Sequence, residues 1–188
     1  MIRRITHSVL VLSCLLLLRP LHLTASAEPT GGPSDLRHTI LGLSARADRN
    51  ELDSYVRNLQ REGYKVRTVS NDYPEKVDGL NARDLNREAL EVSNSQGTIL
   101  MTILLEKDGS AAIICGEEFV PPVHLECGGK VILKPGQSAK EIRATFASAI
   151  VKDSGWKLTI KLPDGWLVCK FINDTLYSLT LSSPPHGP

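Results

Sequence analysis

The sequence predicts an α+β fold in which two or three helices pack on one face of an antiparallel sheet. Two observations favour this class. Apolar residues recur at helical spacing in segments that follow capping residues near positions 49 and 138. Elsewhere, apolar and polar residues alternate in short runs that are joined by Asp-Gly turns, which is typical of hairpins with one wet face.

The amino terminus has the layout of a secretory signal peptide. A basic start at residues 1–4 precedes an apolar run at 9–18 and small residues at 25–27. Ten apolar residues are too few to span a bilayer, which needs roughly 20. We therefore predict a mature protein that begins at Glu28, without stable membrane insertion after cleavage. It would be periplasmic if the source is bacterial and extracellular otherwise.

Composition narrows the function classes. Removal of residues 1–27 takes away three arginines and leaves 161 residues with 19 basic and 21 acidic side chains, a net charge of −2. This length suits one domain, and this balance predicts no nucleic-acid partner, which would call for a basic face. The chain has no phosphate-binding loop, dinucleotide fingerprint or nucleophile elbow, so we predict no cofactor and favour a protein that is not an enzyme.

The domain boundaries follow from turn-forming residues. Pro, Gly and Ser open the segment 28–47, which we predict to be a flexible leader, and residues 183–188 form a predicted disordered tail. Between them, residues 48–182 form the predicted α+β domain.

The first predicted elements are a helix over 49–62 and a strand over 64–69. The helix has apolar residues three and four apart, Asp48 or Asn50 can cap it, and Gly63 can close it. The strand follows from strict alternation of apolar and polar residues.

The middle of the chain predicts a short helix and a hairpin. Leu85, Ala89 and Leu90 suggest a helix over 83–92. The β-branched run 98–106 predicts a central strand, which returns as residues 111–115 through a tight Asp-Gly turn.

The last third predicts a strand, a helix and a three-stranded meander. A short strand over 130–134 precedes Pro135-Gly136. Ser138 and Glu141 then form a capping box that opens a helix to about Lys152. The meander strands are predicted at 156–162, 166–172 and 175–181.

Similarity between two short segments of the chain suggests two tandem helix-plus-meander units. Residues 62–66 and 154–158 both end a predicted helix with Gly, an aromatic, Lys and an aliphatic residue. A duplication would divide the domain into halves 48–134 and 135–182; the alternative is one α+β domain whose helices end alike. In outline the tandem arrangement is similar to small exported inhibitors such as the β-lactamase inhibitor proteins. This resemblance concerns the architecture alone, and it assigns no functional role to any residue of this chain.

Three cysteines remain in the mature chain. We predict a disulfide between Cys115 and Cys127, which would contribute roughly 3 kcal/mol by closing a short loop in an oxidising compartment. Cys169 alternates with apolar residues and is interpreted as a small buried hydrophobe, although its pairing with either of the others remains open.

The segment predicted to bind a partner is a proline-stiffened apolar loop. A rigid apolar loop loses little entropy on binding. In the alternative interpretation, which we weigh equally, its aliphatic side chains plug the core. The loop residues are Phe119, Val120, Pro121, Pro122, Val123, His124 and Leu125. The two tryptophans, Trp156 and Trp166, are interpreted as core residues rather than as a recognition surface.

His124 is the one mature histidine outside the predicted mobile ends. It could act as the base of a small secreted hydrolase, or bind zinc together with Cys115, Cys127 and Glu126. We favour neither and predict no metal and no catalytic residue, because an oxidising compartment would join the two thiols.

The leading functional hypothesis is an exported, non-catalytic protein-binding module, such as an inhibitor, an immunity factor or an envelope accessory protein. Its predicted partner is another exported or envelope protein. The alternative is a small secreted hydrolase or metalloenzyme centred on His124. A purely structural envelope component is a third hypothesis.

Overall fold

A computed structural model describes residues 37–71, 85–116 and 122–183, together with the backbone at 76–77 and 80–81. Strands account for 52% of the described residues and helices for 16%. No helix among them is long and apolar enough to cross a membrane. The elements are β1 (His38–Ile40), α1 (Arg49–Arg61), β2 (Lys65–Ser70), β3 (Lys76–Val77), β4 (Leu80–Asn81), β5 (Leu85–Ser93), β6 (Ile99–Glu106), β7 (Ala111–Gly116), β8 (Leu125–Cys127), β9 (Lys130–Leu133), α2 (Ala139–Thr145), β10 (Ile150–Asp153), β11 (Lys157–Leu162), β12 (Gly165–Ile172) and β13 (Thr175–Ser182).

One antiparallel sheet of eight strands dominates the fold, in the order β10-β11-β12-β13-β7-β6-β5-β2. Strands β2, β5, β6 and β7 of this sheet lie between α1 and α2 and form one meander, and strands β10 to β13 follow α2 and form the other. The meanders join through their last strands, β7 and β13, where Ile114 lies opposite Leu181. A three-stranded sheet, β1-β8-β9, and the β3-β4 pair complete the described strands.

Both helices begin with the same capping box. At α1 the Asp48 carboxylate accepts the Glu51 N–H at 2.9 Å, and the Glu51 carboxylate accepts the Asp48 N–H at 3.1 Å. Ser138 and Glu141 repeat the arrangement at α2, as predicted. Hydrogen bonds from the backbone N–H and hydroxyl of Ser138 hold the pKa of the Glu141 carboxyl below its usual range. The α2 helix ends at Thr145, well short of Lys152, because the chain pairs as β10 from Ile150.

The core lies on one face of the eight-stranded sheet, here called the inner face, which carries Ile103, Ile114 and Leu179. The same apolar cluster contains Ile40, Leu125 and Leu133 of the three-stranded sheet, all fully buried. The opposite, outer face carries a smaller buried cluster of Ala89, Leu104, Ala112, Ile113 and Cys115.

The predicted class of helices packed on a sheet was wrong, and the fold is mostly β. The segment predicted as a helix over 83–92 is strand β5, which pairs with both β2 and β6. The apolar spacing in this segment is compatible with a helix or with a strand. Pairing with two strands that are distant in the sequence makes it a strand. Each of the two helices buries only two side chains, namely Leu52 and Leu59 of α1 and Ala139 and Ile142 of α2. The three-stranded sheet contributes side chains to the same core.

The predicted hairpins are confirmed, whereas the flexible leader is not. Strands β6 and β7 form the hairpin around Asp108-Gly109, and β11 to β13 form the final meander. Residues 37–47 form β1 and a buried stretch rather than a flexible leader, because apolar and small side chains enter the core; these are Ile40, Leu43, Ala45 and Ala47. The rest of the predicted leader, 28–36, the signal peptide and tail residues 184–188 lie outside the described residues.

Candidate functional site

The described part of the predicted binding loop packs into the core. Val123 and Leu125 are both fully buried. Gly116 allows this packing, since a Cβ at that position would lie 3.3 Å from Val123 Cγ1. Pro122 is exposed and His124 is half-buried. The prediction that the loop presents its aliphatic side chains to a partner was therefore wrong for Val123 and Leu125. Phe119, Val120 and Pro121 lie outside the described residues.

The two ring nitrogens of His124 each contact an oxygen atom of a residue two positions away in the chain. Its Nδ1 lies 2.6 Å from the Pro122 carbonyl oxygen, and its Nε2 lies 2.6 Å from Glu126 Oε1. Both ring nitrogens are therefore already in contact with oxygen atoms of the protein. A base or zinc ligand needs one of these nitrogens for its substrate or metal. No group of three His, Cys, Asp or Glu side chains within the described part of the chain could hold a metal ion.

The structure does not join Cys115 to Cys127 by a disulfide. Cys115 belongs to the outer cluster, where its Sγ accepts a hydrogen bond from the Thr180 hydroxyl at 3.9 Å. Its chain neighbour Gly116 instead borders Val123, which belongs to the inner core, and the strand that carries Cys127 contributes to that same core. Side chains alternate between faces along a strand, so the Cys115 side chain is directed away from this core.

A buried histidine–aspartate pair connects β1 to the turn between β11 and β12. The His38 backbone N–H donates to Asp164 Oδ2 at 2.6 Å, and His38 Nδ1 lies 2.6 Å from Asp164 Oδ1. The two side chains are 8% and 12% exposed. His38 falls within the predicted flexible leader 28–47, and Asp164 falls within a predicted Asp-Gly turn. The apolar residues that follow His38 were the available signal that it is fixed.

The chemistry around this pair favours a structural role. An aspartate that orients histidine Nδ1 resembles part of a hydrolytic triad, and Cys127 lies opposite His38 in the β1–β8 pairing. However, burial and the nearby Asp164 carboxylate raise the pKa of the Cys127 thiol. A nucleophilic cysteine needs the opposite shift.

These pKa shifts predict slow thiol alkylation in the folded protein. Cys169 is fully buried and burial strongly raises its pKa, so iodoacetamide should modify it only after unfolding. Because the thiolate reacts and the pKa of Cys127 is raised, Cys127 should label more slowly at pH 8 than the thiol of an unfolded control peptide. Its labelling should accelerate as the pH rises. Mass spectrometry of unreduced protein measures both sites. Protection of Cys115 and Cys127 until a reductant is added would instead support the predicted disulfide.

The carboxy-terminal meander presents large apolar side chains to solvent. Trp156 is 60% exposed, Ile172 54% and Tyr177 43%. They lie at the same end of β11, β12 and β13, and the Phe171 N–H donates to the Trp156 carbonyl at 2.8 Å. We call these three residues the apolar end. The interpretation of Trp156 as a core residue was wrong, whereas Trp166 is half-buried.

The loop before Trp156 is held by an arginine of α2. Arg143 Nε donates to Asp153 Oδ2 at 2.8 Å, and its Nη2 donates to the Gly155 carbonyl at 2.8 Å. Asp153 also accepts the Gly155 N–H at 2.8 Å, and the guanidinium lies 5.9 Å from the centre of the Phe171 ring. The hydrogen bond from Arg143 lowers the pKa of the Asp153 carboxyl. The exposed indole is therefore attached to an ordered loop.

Tyr64 and Trp156 occupy corresponding positions in the two similar segments 62–66 and 154–158, yet Tyr64 is half-buried and Trp156 is mostly exposed. The prediction that both segments end a helix is correct only for the first, because Gly63 follows α1 whereas Gly155 follows strand β10. Comparison with known proteins finds no protein family, no characterised protein and no solved structure that matches this chain.

Proposed function

We propose that this protein is an exported, non-catalytic module that binds another exported or envelope protein through the apolar end. The observation that carries the proposal is the exposure of Trp156, at the end of the meander where Ile172 and Tyr177 are also exposed. Trp and Tyr are enriched among the residues that dominate binding energy at protein interfaces. A tryptophan can bury about 150–250 Å².

The ordered loop supports the same proposal. Ordering side chains and loops on association costs about 0.5–1.5 kcal/mol for each mobile side chain. The contacts of Arg143 with Asp153 and Gly155 restrict the loop before a partner arrives. A partner would therefore meet an exposed indole on a loop that is already ordered.

Export is supported by the layout of the first 27 residues. Intact mass measurement of the protein from its native compartment tests this step separately, with Glu28 expected at the new amino terminus. Retention of Met1 on protein in the cytosol would contradict export without bearing on the apolar end.

Binding is tested by affinity purification from the native envelope with tagged wild-type protein and, in parallel, with tagged Trp156→Ala protein. The captured protein is identified by mass spectrometry and then titrated against purified variants. Loss of a central aromatic anchor is expected to weaken binding at least 30-fold, corresponding to about 2 kcal/mol. Val131→Ala is the matched control, because Val131 is 54% exposed on β9, in the other sheet. Equal affinity of the Trp156→Ala and wild-type proteins would contradict the proposal.

A further inference from the structure

The turn between β12 and β13 contains the sequence Asn173-Asp174-Thr175. An asparagine followed two positions later by serine or threonine, with any residue except proline between them, is the acceptor sequence for N-linked oligosaccharides. The chain has seven asparagines, and Asn173 is the only one that begins such a sequence. Because three residues are a short motif, its position in the fold decides whether a sugar fits there.

The fold places this sequence at the tip of a two-residue hairpin turn. Ile172 pairs with Thr175, and Asn173 and Asp174 between them have φ angles of 50° and 62°. Positive φ at both central residues is typical of a type I′ turn, in which asparagine is favoured. Residues 173–175 are all exposed. An oligosaccharide on Asn173 would therefore extend into solvent and displace no core side chain.

The amide of Asn173 differs from other asparagine amides in the use that the fold makes of it. Asn71 Nδ2 donates to the Asn86 carbonyl at 2.7 Å, and Asn94 Oδ1 accepts two backbone N–H groups of its own loop at 2.9 and 3.0 Å. Among the described residues, the Asn173 side chain has no hydrogen-bond partner, and only its backbone carbonyl is contacted, by the Thr175 hydroxyl at 3.5 Å. The Asn173 amide nitrogen is therefore accessible for modification.

The folded turn is attached to the start of α2 through its backbone. The Ala139 N–H donates to the Asp174 carbonyl at 2.9 Å, and the Leu176 N–H donates to the Gln137 carbonyl at 3.0 Å. These contacts lie on the carboxy-terminal side of Asn173 and leave that residue exposed. A sugar on its side chain would therefore leave the attachment of the turn intact.

We infer that Asn173 carries an N-linked oligosaccharide in the exported protein. The donor is a lipid-linked oligosaccharide pyrophosphate. Nδ2 of Asn173 forms a bond to C1 of the first sugar while the bond between C1 and the pyrophosphate oxygen breaks. Nδ2 gives up one proton to a base of the transferase, and the lipid pyrophosphate leaves. The inference depends on the predicted export and is independent of partner binding.

The oligosaccharide would lie next to the apolar end. Ile172, which is 54% exposed, directly precedes Asn173 in the chain. N-linked oligosaccharides are bulky and solubilising, whereas exposed apolar patches are liable to aggregate. The sugar would thus add hydrated surface beside the apolar side chains of an exported protein.

The test is mass spectrometry of protein isolated from its native compartment. The tryptic peptide 171–188 contains Asn173 and is expected to carry a mass increment of sugar units. Digestion with peptide N-glycanase in heavy-oxygen water should remove this increment and convert Asn173 to aspartate with one heavy oxygen. Asn94 lies outside any acceptor sequence, so the peptide that contains it should remain unlabelled.

Two variants expressed in the native source separate the acceptor hydroxyl from the fold. Thr175→Ala should abolish the modification, whereas Thr175→Ser should retain it. Both remove the methyl group of Thr175, so they differ only in the hydroxyl. Because that hydroxyl makes only the 3.5 Å contact with the Asn173 carbonyl, both variants should show the circular dichroism spectrum of the wild type.

Unmodified Asn173 in the native protein would overturn the inference. Equal modification of the Thr175→Ala and wild-type proteins, or a sugar increment that maps to a serine or threonine, would also overturn it. If unmodified wild type still captures a partner that Trp156→Ala loses, the inference fails while the proposed function stands. Modified wild type that captures no partner would have the opposite meaning.

Discussion

Replacing Val123 with aspartate is expected to lower the free energy of unfolding by more than about 4 kcal/mol. Val123 is fully buried against Gly116 of β7, within the core that joins the three-stranded sheet to the large one. The substitution removes roughly 1.5–3 kcal/mol of apolar burial and introduces a carboxylate without a partner in an apolar site. A loss above about 4 kcal/mol is a large part of the 5–15 kcal/mol that stabilises a typical domain.

Urea unfolding followed by circular dichroism measures this loss. Val131→Asp is the matched control, because Val131 lies on β9 of the same small sheet and is 54% exposed. Its free energy of unfolding should change by less than about 0.5 kcal/mol. A Val123→Asp protein as stable as Val131→Asp would show that the 122–125 segment does not pack as described, and would restore the binding-loop hypothesis.

Local signals in the sequence were sufficient for most strands and both helix starts. The Asp-Gly turns at 108–109 and 164–165 placed hairpins correctly, and the capping pair Ser138–Glu141 placed α2. These features depend on residues within a few positions of one another, which a pattern in the chain can report.

The errors arose where distant parts of the chain decide the structure. Leu85, Ala89 and Leu90 fit a helical spacing, but pairing with β2 and β6 makes the segment a strand. Strand β9 of the three-stranded sheet was predicted correctly, but β1 and β8 have only three residues each, too few for alternation to be visible. Trp156 follows a loop that is held by Arg143 of α2, a contact between residues 12 positions apart. None of these can be read from a single window of sequence.

The pairing of His38 with Asp164 shows the same limit, since 126 positions separate the two residues. Its contribution is the second large expected effect. Asp164→Ala should lower the free energy of unfolding by about 3 kcal/mol, since deleting one member of a buried pair leaves its partner without compensation. Here the backbone N–H and Nδ1 of His38 both lose their acceptor. For a domain of this size, the melting temperature should fall by roughly 10 °C.

A matched control is Asp153→Ala, which removes the carboxylate of the more exposed Arg143 pair in the same half. Exposed pairs are screened by water, so this variant should unfold much closer to wild type. Combining Asp164→Ala with His38→Ala completes a double-mutant cycle, in which the second change should add less than it does alone. Additive losses would mean that the two side chains do not stabilise each other. In that case, the attachment of β1 would depend on the apolar packing of Ile40 and on its pairing with Leu125.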